Sequence, residues 1–396
     1  MIVRDPGDFP RLSQGSWHHA PCPDCGARSG VRAIETPSGH ELFVVLLSTV
    51  ADAANPEALL QGLKVVALQS GFEDWTPVTL TWYSRKPLSV SERAKLSGVT
   101  AGTSATTFLD LPPSCSQCCL ALHAHLAVSP ASGPSLPFQP LSSGLAGVTG
   151  NIVTGNLGER HLRLANLEGR ADGSFEEECA AIFEQLHEVL GDNGFAPSDL
   201  VRTWLYLRSI PDDYEVLNAV RRDAFQRWGL NFYPASTGVG GSPRSNGARC
   251  ALSLYAVSGL EESSLKILSA GSFNEAQEYG SYFARGLQLD IGRLRRTLIS
   301  GTAAIGSDGE TVGVGDLDAQ VAHTLVNVEG LLNAAGSGFE DALSVISYLK
   351  PGQDVRRYRQ LIAEKLPEAI PHLVVEAELC RDDLLCETEL IAYLGL

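Results

Sequence analysis

Three segments of the chain repeat one pattern, and this repeat limits the possible folds more than any other feature. Each segment is a helix with regularly spaced apolar residues, then a Gly-Phe pair, then an apolar strand that ends near residue 84, 207 or 349. The pairs are Gly71-Phe72, Gly194-Phe195 and Gly338-Phe339. A glycine after a helix can adopt the left-handed conformation that ends it. We therefore predict one supersecondary unit that is used three times.

The second and third copies continue with a further helix and two strands. In the second copy the predicted helix covers Asp213 to Trp228, and a turn-rich stretch from Tyr233 to Gly241 precedes a strand from Ala248 to Val257. The third copy has a predicted helix over Asp354 to Leu366 and strands near Leu373 to Leu379 and Leu384 to Tyr393. The first copy is predicted to be partial.

Two stretches rich in turn-forming residues predict the domain boundaries. Ser129 to Gly150 is the first predicted linker, and Ser258 to Gly271 is the second predicted boundary. The predicted domains are therefore residues 1–140, 145–260 and 264–396.

The charge balance bears on possible partners. The chain has 30 Lys and Arg against 46 Asp and Glu, a formal net charge of -16, and 44% hydrophobic residues. With no run of basic residues, nucleic-acid and anionic-membrane partners are disfavoured, since both need a concentrated positive field. The N-terminal sequence lacks a hydrophobic signal core, and no stretch reaches the roughly 20 apolar residues of a spanning helix. We expect a soluble, cytoplasmic protein.

The nine cysteines include two Cys-x-x-Cys pairs, Cys22 with Cys25 and Cys115 with Cys118. Four thiolates from two such turns can close a tetrahedral zinc site with no open position, which is typical of a structural metal. The two pairs lie far apart in sequence, so the fold must bring them together. The alternative interpretation is four buried free cysteines. No Walker loop, dinucleotide fingerprint or nucleophile elbow is present, so we expect a structural zinc and no organic cofactor.

Several short motifs in the later two copies resemble one family. They are Trp204-Leu-Tyr-Leu, Tyr214-x6-Arg221, Pro234-Ala-Ser-Thr-Gly-Val-Gly240, Ser300-Gly-Thr-Ala-Ala-Ile305, Gly315-Asp316 with Gln320, Thr324-Leu325, and Glu378-Leu-Cys-Arg-x-Asp-Leu-Leu-x-Glu387. Over about residues 145 to 395 the chain resembles the YjgF/Rid superfamily, and within it the chorismatases.

The resemblance implies an α/β (α+β) fold of repeated chorismate-mutase-like β-α-β units, which three copies would arrange as an internal pseudo-trimer. It also implies release of pyruvate from chorismate or a related enolpyruvyl cyclic acid in natural-product, antibiotic-type biosynthesis. A homotrimer of the whole chain is compatible with it.

Two departures from the family pattern leave the reaction open. Rid imine hydrolases carry an arginine where this chain has Ser236 in the second copy and His372 or Leu373 in the third, which disfavours imine deamination. After Ser300-Gly-Thr-Ala303 the chorismatases continue into a Gly-His segment, whereas here Gly306-Ser-Asp-Gly309 follows. The alternatives are therefore a tailoring reaction on another cyclic or aromatic acid, or a zinc-containing binding protein without turnover.

Glu387 is the predicted catalytic residue. Cleavage of an enol ether begins with protonation of its methylene carbon, for which a carboxylic acid of raised pKa is a suitable donor. On a strand, Glu387 shares a face with Leu385, Glu389 and Ile391. Apolar neighbours and a second carboxylate would both favour the protonated form. The alternative is a solvated outer face.

The predicted substrate contacts are residues that can meet an anion. Tyr214 and Arg221 lie seven apart on a predicted helix and point the same way, so they can clamp a carboxylate. The alternative interpretation is that both residues lie on the solvent-exposed side of an amphipathic helix. The segment after Pro234 offers backbone amides or forms a simple turn. Arg285 is a second candidate cation, and Cys380 is a thiol near Glu387. In the alternative interpretation Cys380 is a buried structural thiol. The candidates are Tyr214, Arg221, Ser236, Thr237, Gly238, Arg285 and Cys380.

Overall fold

The computed structural model describes residues 22–49, 55–99, 104–129, 136–169, 172–241, 247–271, 273–274 and 282–396. These residues form three mixed β-sheets with α-helices, so the fold is α+β. Within the described ranges, every helix is too short or too polar to cross a membrane.

The first unit, residues 30–128, forms a five-stranded sheet. Its elements are β1 (Gly30–Thr36), β2 (Gly39–Thr49), α1 (Pro56–Gln69), β3 (Trp75–Ser84), α2 (Val90–Val99), β4 (Ala105–Leu109) and β5 (Cys118–Val128). The strand order is β1-β2-β5-β3-β4, with β3 and β4 parallel. The expectation of a partial first copy is therefore wrong, because both helices and the parallel strand pair are present.

The second unit, residues 138–258, forms a six-stranded sheet in the order β10-β9-β11-β8-β7-β6. Its elements are β6 (Phe138–Pro140), β7 (Thr149–Thr154), β8 (Arg160–Glu168), α3 (Phe175–Asp192), β9 (Leu200–Leu207), α4 (Ile210–Arg227), β10 (Ala235–Gly240) and β11 (Cys250–Ser258). Helix α3 begins with the capping box formed by Ser174 and Glu177.

The third unit, residues 265–395, forms a six-stranded sheet in the order β12-β13-β14-β17-β15-β16. Its elements are β12 (Leu265–Leu268), β13 (Gly286–Ile291), β14 (Leu294–Ala303), α5 (Leu317–Ala334), β15 (Ala342–Leu349), α6 (Val355–Ile362), β16 (His372–Glu376) and β17 (Cys386–Gly395).

All three units share one topology, in agreement with the predicted repeat. In each, a hairpin is followed by a helix, a central strand, a second helix and a parallel edge strand, and the last strand inserts between hairpin and central strand. The central strands place Tyr83, Tyr206 and Tyr348 at equivalent positions, and all three are buried in one apolar cluster shared by the three units. The helices pack on the other face of each sheet. The sheets thus meet in the centre, and the helices lie outside.

The segments assigned to turns and linkers contain strands. The stretch from Ser129 to Gly150 includes β6, which hydrogen-bonds to β7 and so starts the second sheet before residue 145. Ser258 to Gly271 includes β12, which pairs with β13. The predicted turn from Tyr233 to Gly241 is mostly β10, parallel to β9. Edge strands tolerate the Pro, Gly and Ser residues that central strands avoid, which explains the misassignment.

The helix end in the third copy also differs from the prediction. Gly71 and Gly194 adopt φ of 84° and 73°, as expected after a helix, but in the third unit this conformation belongs to Gly336, at 73°. Gly338 is extended, with φ of -127°. The residue whose N–H closes the helix end is Phe195 in the second unit and Ser337 in the third. The third Gly-Phe pair is therefore shifted by two residues relative to the repeat.

Two seams join the third unit to its neighbours. At the seam with the second unit, Ala284 pairs with Ala235, and the N–H of Ala284 donates to Pro234. At the seam with the first unit, Pro113 pairs with Val375 of β16.

Candidate active site

Glu387 lies on β17 in the middle of the third sheet, opposite Ala303 on β14 and Tyr348 on β15. The positions opposite Tyr83 and Tyr206 in the other units are Ala121 and Ala251. Of the three equivalent positions, all of them described, only the third carries a carboxyl group. Glu387 is 5% exposed, so it is buried and does not lie on a solvated outer face.

The electrostatic surroundings keep a proton on Glu387. Burial raises the pKa of its carboxyl, and the nearby charge of Glu389 raises it further, to about 8. Arg285 and Arg202 act in the opposite direction but do not outweigh these effects. A carboxyl group with this pKa is mostly protonated at neutral pH, the form required of a proton donor.

Gly301 forms the floor beneath the Glu387 carboxyl group. The register between β14 and β17 shifts between Ile299 and Thr302, so the strand bulges at this point. A Cβ atom on Gly301 would collide with Oε1 of Glu387. The Gly301 N–H donates instead to Oγ1 of Thr237 at 2.8 Å. The glycine in the motif that begins at Ser300 thus has a steric explanation: a side chain at this position would force the Glu387 carboxyl group to move.

Glu389, two residues further along β17, is held in place by strand β9. Nη2 of Arg202 donates to Oε2 of Glu389 at 2.7 Å, and the indole of Trp204 donates to Oε1 at 3.0 Å. Arg202 also donates to Oγ1 of Thr237 at 2.6 Å. Sequence reasoning missed Arg202, although a lone arginine between apolar residues of a strand was a usable signal.

Helix α4 directs Arg221 and Tyr214 toward β10. Nη1 of Arg221, which is 1% exposed, donates to Oγ of Ser236 at 3.3 Å. The Tyr214 ring packs on Gly238, where an added Cβ atom would lie 3.0 Å from Cε2. The predicted common direction of Tyr214 and Arg221 is therefore observed; Arg221 is buried and Tyr214 is partly buried, so the pair does not lie on the solvent-exposed side of the helix.

Arg285 supplies a second buried cation next to Arg221. The guanidinium carbons of both arginines lie 5.4 Å from the ring centroid of Phe283. Arg285 also lies 4.9 Å from the ring of Phe273 and donates to the carbonyl of Asn274 at 3.4 Å. The two guanidinium groups thus form a positive region at the seam between the second and third units.

Cys380 lies in the connection between β16 and β17. Burial raises the pKa of its thiol to about 12, and the charge of Glu387 contributes in the same direction. Cys380 is therefore a neutral thiol beside the acid rather than an activated nucleophile.

Most of the Pro234 to Gly241 segment forms strand β10. The N–H of Ser236 donates to Oγ of Ser300 at 2.8 Å. The N–H of Gly240 donates to the carbonyl of Glu378 at 2.8 Å. The segment is therefore mostly a strand rather than a simple turn, and the amides of Ser236 and Gly240 already have partners. Its Ser236 is equivalent in register to His372, which settles the position left open in the third copy.

A cavity of about 90 Å³ lies in the centre, where the three sheets meet. Glu389, Arg202 and Trp204 line it, whereas Glu387 does not. The candidate site therefore lies between this central cavity and the seam that carries Arg221 and Arg285.

The four cysteines of the predicted zinc site are brought together elsewhere, beside the seam between the first and third units. Cys22, Cys25, Cys115 and Cys118 are all buried, and their sulfur atoms lie within 4.8 Å of one another. The fold therefore joins the two knuckles, which are far apart in sequence.

Comparisons with known proteins agree with this architecture. The Endoribonuclease L-PSP family matches residues 289–394, most of the third unit. A 3-hydroxybenzoate synthase of Streptomyces hygroscopicus is 26% identical over 243 residues, 55% of this chain and 69% of that protein. A chorismatase of Streptomyces rapamycinicus is 28% identical over 244 residues, 55% of this chain and 70% of that protein.

The fold is also similar to that of a solved chorismatase. That crystal structure matches with a TM-score of 0.60 at 19% sequence identity, covering 80% of this chain and 93% of the other. At this identity the likeness concerns the fold alone. The resemblance drawn from the motifs is confirmed: residues 289–394 form an Endoribonuclease L-PSP (YjgF/Rid) domain, in a chain similar to chorismatases and 3-hydroxybenzoate synthase.

Proposed function

We propose that the chain is a chorismatase-type enzyme that releases pyruvate from chorismate or a related enolpyruvyl cyclic acid. The observation that carries the proposal is Glu387, a buried carboxyl group with a pKa of about 8, present in one of three equivalent positions. The names of the two Streptomyces relatives support an enzyme of the lyase or hydrolase kind.

The proposed reaction begins with transfer of the Glu387 proton to the methylene carbon of the enol ether. The carbon that bears the ether oxygen then becomes positively charged, and a water molecule adds to it with loss of a proton. The resulting hemiketal breaks its bond to the ring oxygen, which gives pyruvate and a ring alcohol, and Glu387 regains a proton. In the alternative route, the neighbouring ring hydroxyl oxygen displaces the ether oxygen from its ring carbon, so pyruvate leaves, the hydroxyl proton returns to Glu387 and an epoxide forms on the ring. Opening of this epoxide, with loss of one ring hydrogen as a proton and gain of a proton on its oxygen, gives a hydroxybenzoate.

The cationic region fits the substrate class. An enolpyruvyl cyclic acid carries two carboxylates, and Arg221 and Arg285 are two buried guanidinium groups at the same seam. Guanidinium groups bind carboxylates through paired, charge-assisted hydrogen bonds. Arg202 is engaged by Glu389, so its role is to hold the carboxylate that raises the pKa of Glu387.

A second candidate is a tailoring reaction on another cyclic or aromatic acid, and the segment Gly306-Ser-Asp-Gly309 favours it. The carbonyl of Gly309 accepts a hydrogen bond from Arg381 at 2.7 Å, next to Cys380. A Cβ atom on Gly309 would lie 2.8 Å from Asn274, whose carbonyl accepts from Arg285. The segment in which this chain departs from the chorismatase pattern thus contacts both sides of the site.

We further propose that the three units act as an internal pseudo-trimer in which the seam between the second and third units is the active one. The shared topology and the tyrosine cluster at the centre support this arrangement.

The test is a coupled assay of pyruvate release with chorismate, together with a separate measurement of binding. Glu387→Gln keeps the shape but cannot donate a proton, so turnover should fall by roughly 100-fold or more while binding is retained. Glu364→Gln, a change of an exposed carboxyl group in the same unit, is the matched control. Wild-type protein that binds chorismate without releasing pyruvate would favour the second candidate. Absence of binding would favour a binding protein for another partner, and a fully active Gln variant would refute the role of Glu387.

A further inference from the structure

We propose that Cys22, Cys25, Cys115 and Cys118 bind one structural zinc ion that ties the first unit to the third. The sulfur atoms of Cys22 and Cys115 lie 3.7 Å apart, and all four lie within 4.8 Å of one another. Four sulfurs at about 2.3 Å from a tetrahedral zinc ion would lie roughly 3.8 Å apart. Disulfide bonds would require separations of about 2.05 Å.

Both knuckles have the backbone turns that such a site requires. The N–H of Gly26 donates to the carbonyl of Cys22 at 2.8 Å, and the N–H of Cys22 donates to Ala27 at 2.8 Å. In the second knuckle the N–H of Cys118 donates to the carbonyl of Cys115 at 3.0 Å. These turns close each pair on itself and direct the four sulfurs inward. All four positions are protein thiolates, so the site is closed and suits a structural rather than a catalytic metal.

The third unit contributes two arginines from α6. Nε of Arg356 donates to the carbonyl of Asp24 at 2.8 Å, and Nη2 donates to that of Pro23 at 3.0 Å. Arg359 lines the same groove as Cys22 and Cys25, and its Nε atom has no hydrogen-bond partner among the described residues. Four thiolates around a divalent ion carry two net negative charges, and the partly buried guanidinium group of Arg359 beside them offsets part of that charge.

The second knuckle also continues into the seam. The N–H of Ser114 donates to the carbonyl of Val374 at 3.1 Å, and the N–H of Glu376 donates to Pro112 at 2.8 Å. Residues 112–114 therefore extend the third sheet beyond β16. The chain after β16 leads to Cys380 beside Glu387. The metal site thus holds the edge strand from which the connection to the candidate acid begins.

The first experiment measures metal in the full-length purified protein by mass spectrometry. We expect about one zinc per chain. Replacement by Co²⁺ should give the intense thiolate charge-transfer absorption of a tetrahedral sulfur site. Protein that contains no metal and gives no such absorption, protein that contains iron instead, or protein that has lost four thiol hydrogens as two disulfide bonds would each overturn the proposal.

The second experiment compares two variants. The double variant Cys22→Ser with Cys115→Ser should lose the metal and unfold at a lower temperature, and hydrogen exchange at Val374 to Glu376 should become faster. Cys119→Ser, next to the second knuckle but outside the cluster, should keep all three properties. Retention of zinc by the double variant would refute the ligand set. If the double variant does not fold, chelation of the wild-type protein tests the same exchange prediction. None of these measurements depends on catalytic activity.

Discussion

Replacing Glu387 with glutamine should stabilise the protein while abolishing proton donation. The carboxyl group is buried, and its pKa is raised to about 8, first by burial and then by Glu389. Between its ordinary value of 4.5 and about 8, the folded chain keeps a proton that the unfolded chain has lost. In this pH range stability falls as pH rises, since the native state binds more protons than the unfolded state. A glutamine side chain is neutral in both the folded and the unfolded state, so the variant does not lose stability in this way as pH rises.

The size of the effect follows from the pH interval. Each pH unit between the two pKa values is worth about 1.4 kcal/mol. The glutamine variant should therefore be more stable than the wild type by about 3 kcal/mol at pH 7 and by roughly 5 kcal/mol above pH 8, where the difference becomes constant. Near pH 4 the two proteins should differ little, because the carboxyl group is then protonated in both states.

Urea denaturation of both proteins at about pH 5, 7 and 9 measures this difference. The matched variant is Glu389→Gln on the same strand. It removes the partner of Arg202 and leaves that guanidinium buried and unpaired, so it should destabilise the protein by about 3 to 5 kcal/mol. A Glu387→Gln variant that is less stable than the wild type, or whose advantage does not grow with pH, would show that the carboxyl group is ionised and paired. Either result would refute the role of Glu387 as a general acid.

Three further predictions concern the same site. First, kcat/KM for pyruvate release should be constant below about pH 8 and fall at higher pH as Glu387 loses its proton; a rate that rises through this range would contradict the role of the acid. Second, Gly301→Ala should displace the Glu387 carboxyl group and lower turnover by roughly 100-fold, and wild-type turnover in this variant would show that the carboxyl group acts from another position. Third, Arg221→Ala should weaken binding of a dicarboxylate by about 2 to 5 kcal/mol in calorimetry, whereas unchanged affinity would remove Arg221 from the anion site.

The repeat and the position of Glu387 on a strand could be read from the sequence because both depend on local patterns. Helical periodicity and the strand alternation around Glu387 are short-range signals that tertiary contacts did not override. The edge strands β6, β10 and β12 could not be read in this way. Their Pro, Gly, Ser and Lys residues have low strand propensity, and their pairing partners decide their conformation.

The surroundings of the acid were less accessible to sequence reasoning. Arg202 comes from the second unit and Glu389 from the third, so their ion pair depends on how the two units pack. The collision that excludes a side chain at Gly301 likewise arises from a bulge between two strands of the third sheet. The spacing of residues along the chain reveals neither the packing between units nor a bulge between strands. The Cys-x-x-Cys spacing, in contrast, was sufficient to suggest that the four cysteines meet.

The placement of three related units in one chain explains how a single seam can hold such a costly acid. In an assembly of identical subunits, every seam would carry the same buried carboxyl group, and each would cost about 3 kcal/mol at pH 7. Here the equivalents of Glu387 are Ala121 and Ala251, which pack without charge. The equivalent of Glu389 in the first unit is His123, which hydrogen-bonds to Ser344 at 2.6 Å and whose pKa burial lowers to about 4, so it is neutral. Two units can therefore contribute stability while the third bears the buried carboxyl group, a division that requires the three sequences to differ.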